Sequence, residues 1–474
     1  MGTVVTRFQS KQKDMVQNLA TALQLPQDAK VVTIERPHVR LMARLFFATF
    51  WLIIFTGAIR KWMFPNSNAL YLLQDVPIAI AYTYALITGQ FTRSLVLIGI
   101  FILSVILVLQ ALLQIVLIGL SPLTAVVGLH HYLFYLPMMV VFPVVLDAGI
   151  RQDFIRWNLL LALPMCALGI AQSVSPSSAF VNQSSTGAAF TISEGGISRG
   201  TGTFNFTSFY ALWLGLAFAL CIGEWLLPQE RRSLKSRSLH IACTMALLLA
   251  ALVSAERTAL VFLLIGVLGG ILASVLLGAT RPLLVMVMLI ALLPIGAGLT
   301  ALISPDEYAA FNTRITSSNN IDDGKSRISN AIVGFLDVDL DPIGAGIGVG
   351  IDAAHIGEVG GYDATYQLAE QDIIRTVMEL GTFAGLIYAF VRIGFVIALI
   401  LLAVSLVLSG CSPHVLPLAF VVFAQGYTQD MTRYGTMTTT QMMLGAAFIL
   451  GVFYFPDNSP TISEDDSKTM TRFA

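Results

Sequence analysis

The residues of this chain that can do chemistry are few, and most of them gather in one stretch. Between Ser304 and Gly381 lie Arg314, Lys325, Arg327, the glycine run Gly344–Gly350, and Glu370-Gln371-Asp372 ahead of Arg375 and Glu379. Outside that stretch, Arg257 stands in Ser254-Ala255-Glu256-Arg257-Thr258-Ala259 between two apolar runs. Arg199 closes a Ser- and Gly-rich segment as Arg199-Gly200-Thr201-Gly202-Thr203-Phe204. A guanidinium, with its fixed charge and forked donors, suits an anion such as a phosphate. The plainer readings are an interfacial Arg257 that snorkels or pairs with Glu256, and a solvated loop charge at Arg199. Glu370 and Asp372 precede an apolar run. Partial burial there raises a carboxyl towards the range of a general base, whereas an ordinary helix start also favours acids. Glu370 is the first candidate base and Asp372 the second. Arg314 and Arg327 are second-rank anion-binding candidates.

Other motifs exclude chemistry. No Gly-Lys-Ser/Thr follows the glycine run, so it is not a phosphate-binding P-loop. It also lacks the strand and βαβ setting of a dinucleotide fingerprint. It reads as a close-packed turn that lets backbone approach a ligand or a helix. His355 has no spaced partners and is a poor metal ligand. The four cysteines, Cys166, Cys221, Cys243 and Cys411, lie in or at the ends of apolar runs and read as inert small hydrophobes. No metal and no cofactor is expected. Asp75 and Arg392 fall inside apolar runs, where a charge defaults to a functional role. Asp75 and Arg60-Lys61-Trp62 flank one short turn, which fits a structural ion pair at least as well as a substrate contact. His130-His131 fall within an apolar run and are expected to hydrogen-bond inside a bundle.

The elements that must position these groups are membrane helices. Of the 474 residues, 56% are hydrophobic and 12% charged, about half the charged share of a soluble domain. The net charge of −1 gives no reason to invoke nucleic acid. Apolar runs near the ~20 residues a bilayer needs fall at 41–58, 69–89, 94–120, 123–146, 154–172, 207–226, 239–255, 258–278, 282–303, 380–408, 414–427 and 438–455. The expected fold is an all-α polytopic membrane protein of about twelve transmembrane helices with a large, partly helical extracytoplasmic loop. With the N-terminus inside, the Arg231–Arg237 cluster, Arg93, Arg151, Arg156, Arg281, Lys468 and Arg472 share its side, as the positive-inside rule requires. Residues 1–40 form a basic cytoplasmic segment without a cleavable signal, followed by an uncleaved anchor. The first bundle part, 41–303, contains an outer loop at 173–206. An extracytoplasmic loop at 304–379, a second bundle part at 380–455 and a cytoplasmic tail at 456–474 complete the plan.

Several pieces together resemble one family. Ser254-Ala255-Glu256-Arg257-Thr258-Ala259, Arg199-Gly200-Thr201-Gly202-Thr203-Phe204, Asp341-Pro342-Ile343-Gly344-Ala345-Gly346, and Glu379-Leu380-Gly381 with Gly385 are similar, in order, to motifs of the O-antigen ligase and polymerase superfamily. Gly57-Ala58-Ile59-Arg60-Lys61-Trp62 and Asp75 resemble the bacterial exopolysaccharide, or repeat-unit, polymerases of that group. The family's ligases carry His-Asn where this chain has Glu370-Gln371, a departure that favours a polymerase.

That resemblance implies a metal-independent glycosyl transfer at the outer face of the bacterial inner membrane. The donor is an oligosaccharide on a polyprenyl diphosphate, and the acceptor is a sugar hydroxyl of another lipid-linked repeat unit. Arg199 and Arg257 hold the diphosphate, Glu370 is the base, and the loop covers a cleft for the lipid tail. Membrane lipid, a chain-length regulator and a flippase of the same pathway are the expected partners. A ligase that passes glycan to a lipid or protein is the alternative within the family. A transporter or flippase of lipid-linked oligosaccharide is the alternative from another class.

Overall fold

The computed structural model describes residues 36–89 except 66 and 68, then 95–185, 198–227, 234–254, 257–303, 309, 341–351, 372–428 and 436–456. Every regular element in it is helical. The helices are α1 (Arg36–Ala58), α2 (Asp75–Ile87), α3 (Leu95–Ile118), α4 (Pro122–Leu133), the single turn α5 (Met138–Val141), α6 (Ala148–Val174), α7 (Thr207–Leu226), α8 (Leu234–Val253), α9 (Arg257–Leu276), α10 (Thr280–Ile303), α11 (Asp372–Leu380), α12 (Thr382–Leu408), α13 (Val415–Thr428) and α14 (Thr436–Tyr454).

Among the described residues, eight helical segments are long and apolar enough to cross a membrane, and α2, α13 and the 237–253 part of α8 are shorter apolar helices. The protein is therefore a multi-pass, all-helical membrane protein. The eight include 122–145, which is not one straight rod: the helix lapses after Leu133 and resumes at Met138 and again at Pro143. Pro137 and Pro143 lack the N–H that would continue the ladder. The expected run at 69–89 divides likewise into a 3₁₀ turn at 69–72 and α2. The 94–120 run is one unbroken helix.

Helices that are apolar all round must be buried in protein or in lipid, and this chain has both kinds. The central α7 is buried over 94% of its most apolar window, whereas α3 is buried over only 17%. Phe101, Leu109 and Val116 of α3 are accordingly exposed, as befits a lipid-facing rim. Close approach depends on small residues. At Gly269 of α9 a Cβ would stand 2.7 Å from the Pro417 Cα of α13.

Polar ties fasten one end of the bundle. Arg151 of α6 donates to the carbonyls of Leu146 (2.6 Å), Gly451 (3.0 Å) and Phe455 (2.7 Å). Glu224 of α7 lies between His240 of α8 (3.3 Å) and His414 (3.1 Å). The groups that could do chemistry lie elsewhere, around the start of α12.

Candidate functional site

Helices α11 and α12 form an antiparallel hairpin about Gly381. Gly381 has φ +77, and a Cβ on it would lie 2.4 Å from the Pro342 carbonyl. The hairpin is tight because Gly385 abuts the backbone of Val377, where a Cβ would be 2.6 Å from the Val377 Cα. Its polar inner face carries Asp372, Arg375 and Glu379, spaced i, i+3 and i+7 so that they share one side of α11. All three are at most 1% exposed. The Asp372 carboxylate accepts from Arg375 with one oxygen and from Arg392 of α12 with the other. Arg392 also donates to the Gly426 carbonyl of α13. Ten residues of helix, about 15 Å, separate Arg392 from the start of α12.

The glycine run wraps the other end of α11. Its backbone N–H groups at Gly348 and Gly350 each donate to Glu379 at 3.1 Å, and the Tyr132 hydroxyl of α4 adds a third donor at 3.0 Å. Gly348 has φ +90, and a Cβ there would meet the Thr124 carbonyl at 2.5 Å. One on Gly350 would meet Glu379 Oε1 at 2.3 Å. These glycines let main chain reach the carboxyl where side chains would block it. Gln114 of α3 locks the arrangement. Its amide donates to the carbonyls of Ile343 (2.7 Å) and Glu379 (2.8 Å) and accepts from the Ile347 N–H (2.7 Å). Burial pushes the Glu379 carboxyl above its ordinary range, against the opposing pull of Arg375, the Gly348 amide and the Tyr132 hydroxyl.

A second polar group adjoins the first. α1 ends in a π-helical turn at 59–63 that carries Arg60 and Lys61, both buried. Turns of this type recur at functional sites. Lys61 Nζ donates to Thr201 Oγ1 and to the Gly202 carbonyl, each at 2.9 Å. Gln172 of α6 donates to the same carbonyl at 2.9 Å and accepts from the Thr201 N–H at 2.9 Å. The Arg60 guanidinium lies over the Tyr71 ring at 5.5 Å. Tyr71 meets the His131 ring edge-on at 6.5 Å, and His131 is within electrostatic reach of Asp372 and Arg375. The two groups therefore form one buried polar region at the ends of α1, α4 and α11.

An apolar groove of about 180 Å³ runs beside this region, between α3, α12 and α14. Ile100, Leu103, Phe395 and Met443 line it, and Arg392 and Tyr388 form its polar part. Arg392 thus belongs both to the groove wall and to the buried ion network.

The structure accounts unequally for the residues singled out in the sequence. Arg199 is half-buried, beside a Gly200 packed onto the Gly169 carbonyl. Arg257 opens α9, but its side chain lies outside the described residues, as do Arg314, Arg327, His355 and Glu370. Asp372 is engaged by two arginines, a placement that suits organising cations. The turn expected to pair Asp75 with Arg60 or Lys61 is arranged otherwise. Asp75 Oδ1 accepts from Tyr135 (2.7 Å), and Oδ2 stands 3.1 Å from His130 Nε2. Tyr132 and Gln114 were not legible as site residues, and Lys61 only as part of the Arg60-Lys61-Trp62 turn. The spacing of Asp372, Arg375 and Glu379 was the one available signal for that cluster, and Arg392 was legible as a charge inside an apolar run.

Among the described residues no group of His, Cys, Asp and Glu is arranged to hold a metal ion. No family model matches the chain, and no curated sequence is significantly similar to it. Fold and site together define a polytopic, all-helical membrane protein with a buried ionic cluster beside an apolar groove.

Proposed function

We propose that the chain is a membrane glycosyltransferase. In this reading it is a polysaccharide polymerase that moves a glycan from a polyprenyl-diphosphate donor onto a sugar hydroxyl of another lipid-linked repeat unit. The observation that carries the reading is the double membership of Arg392. A hydrocarbon chain in the groove would end beside guanidinium groups, which is the polarity of a lipid diphosphate. The four motif stretches that resemble those of the O-antigen ligase and polymerase superfamily support it. The two that adjoin in space are tied directly, since Ala345 N donates to the Met378 carbonyl and Gly346 N to that of Glu379.

Charge develops on the diphosphate as the glycosidic bond breaks, and preorganised cations at that point lower the barrier. Arg199 and Arg257 are the proposed diphosphate ligands, with Arg327 and Arg314 behind them. Asp372 orients Arg375 and Arg392. A base takes the proton of the acceptor hydroxyl. We read α2, α8, α10 and α13 as further crossings beside the eight long segments, which gives twelve. Both termini then lie in the cytoplasm of a bacterial inner membrane, the glycine run faces outward, and a flippase and chain-length regulator act beside the enzyme.

Reconstituted protein given a defined lipid-linked repeat unit tests this: extended glycan supports it. A second reading has its own observation. Lys61, Arg151, Glu224, Asp372, Arg375 and Glu379 are all buried, and buried charges line the paths of transporters. Vesicles that translocate the labelled lipid and extend no glycan would establish that reading instead.

A further inference from the structure

Among the described residues of this region, His130 of α4 is a titratable side chain that is partly exposed and faces a carboxylate. Asp372 and Glu379 each accept from several donors, and each is at most 1% exposed. The His130 side chain is 26% exposed, yet it is held on three sides. Its ring stacks on Phe134 with centroids 4.8 Å apart and meets Tyr135 edge-on at 5.6 Å. Nε2 stands 3.1 Å from Asp75 Oδ2, while the Tyr135 hydroxyl donates to Oδ1 at 2.7 Å and fixes the carboxylate. The Nε2–Oδ2 contact is close without the alignment of a full hydrogen bond, which is common for catalytic pairs before substrate binds. A carboxylate on one imidazole nitrogen places the proton there and leaves Nδ1 as the acceptor, the logic of a base and its orienting group.

We propose that His130 accepts the proton of the acceptor hydroxyl and that Asp75 positions it, a role for which the sequence offers Glu370 first and Asp372 second. The inference rests on the glycosyl-transfer reading. In the step, the acceptor O–H proton passes to His130 Nδ1 as the oxygen bonds to the anomeric carbon. The bond from that carbon to the diphosphate breaks, and the polyprenyl diphosphate leaves with the electron pair. The imidazolium then returns its proton to water. The titratable and charged groups around His130 are Asp75 and Tyr135, the adjoining His131 at 5.5 Å between centroids, and Tyr71 and Arg60 behind His131. Arg375 and Asp372 complete the set through His131.

The test uses the full chain in vesicles with a defined lipid-linked repeat unit. His130→Gln and Asp75→Asn are each expected to lower kcat about 10²–10³-fold with KM nearly unchanged, the range of a lost general base. His130→Gln should also remove the acid limb of the pH–rate profile, which a purely structural residue would leave in place. Treating the unaltered protein with diethyl pyrocarbonate avoids any folding defect in a variant. Extension should fall in step with modification of His130, and hydroxylamine should restore it. Normal kcat and an unchanged pH profile in both variants, or full extension with His130 wholly modified, would overturn this inference and leave the transferase reading standing. Absence of extension by the unaltered protein removes both.

Discussion

Arg392 reaches from the interior of α12 to the Asp372 carboxylate at the start of α11, and so joins two helices that the sequence separates only by Gly381. Both partners are buried, at 6% and 1% exposure. Removing one member of a buried pair leaves the other uncompensated, at a cost of about 3–5 kcal/mol. Arg392→Met should therefore destabilise strongly, and Asp372→Asn with Arg392→Met should lose less than the sum of the two single changes. Thermal unfolding of the four proteins in detergent measures the coupling, and strict additivity would count against the pair.

The glycine run makes a sharper claim. Gly348→Ala puts a side chain at φ +90 and 2.5 Å from the Thr124 carbonyl. Strain of this kind costs about 1–3 kcal/mol. Gly350→Ala adds no positive-φ penalty but drives its methyl onto Glu379. Both should lower the melting temperature. Gly298, where a Cβ meets nothing within 4 Å, should tolerate alanine and serves as the control.

Lys61 fastens α1 to the segment that holds Arg199. Lys61→Met should be destabilising by about 1–3 kcal/mol, since it removes two buried hydrogen bonds of about 0.5–1.5 kcal/mol each. Thr201→Val removes only one of its two acceptors and should cost less. If the transferase reading holds, Lys61→Met should lower extension through the placement of Arg199. Protease accessibility of the 173–206 loop, which Lys61→Met should raise, reports the anchoring independently.

Glu379 gives a pH dependence with a definite sign. Its native pKa is raised by burial, so the folded state holds that proton more tightly than the unfolded chain does. The contribution to stability is complete below the ordinary carboxyl value of about 4.3 and is lost as pH rises through the raised native value. Melting temperature should fall across that window, and Glu379→Gln should flatten the slope. A slope identical in the variant would assign the dependence to other groups.

The membrane character of the fold was plain in the sequence because it rests on run length and composition, which act locally. The run at 207–226 reappears unchanged as α7. The broken run at 123–146 needed more than hydropathy, since Pro137 and Pro143 interrupt an apolar stretch without making it polar. The site was legible only in part. Asp372, Arg375 and Glu379 carried a spacing signal, yet spacing does not say what a helix face meets. Gln114 and Tyr132 lie in apolar surroundings, and their roles come from contacts across more than 200 residues of chain. Such contacts are set by packing, which one sequence does not display.

The ionic cluster is already paired within itself. Within it each guanidinium already faces a carboxylate, Arg375 meeting Asp372 and Glu379, and Arg392 meeting Asp372. An anion arriving from the groove cannot simply add to it. It has to take a guanidinium that already holds a carboxylate, and binding becomes an exchange in which Asp372 acts as the resident competitor. Affinity at such a site is governed by how readily that carboxylate gives way, and only secondarily by the number of arginines.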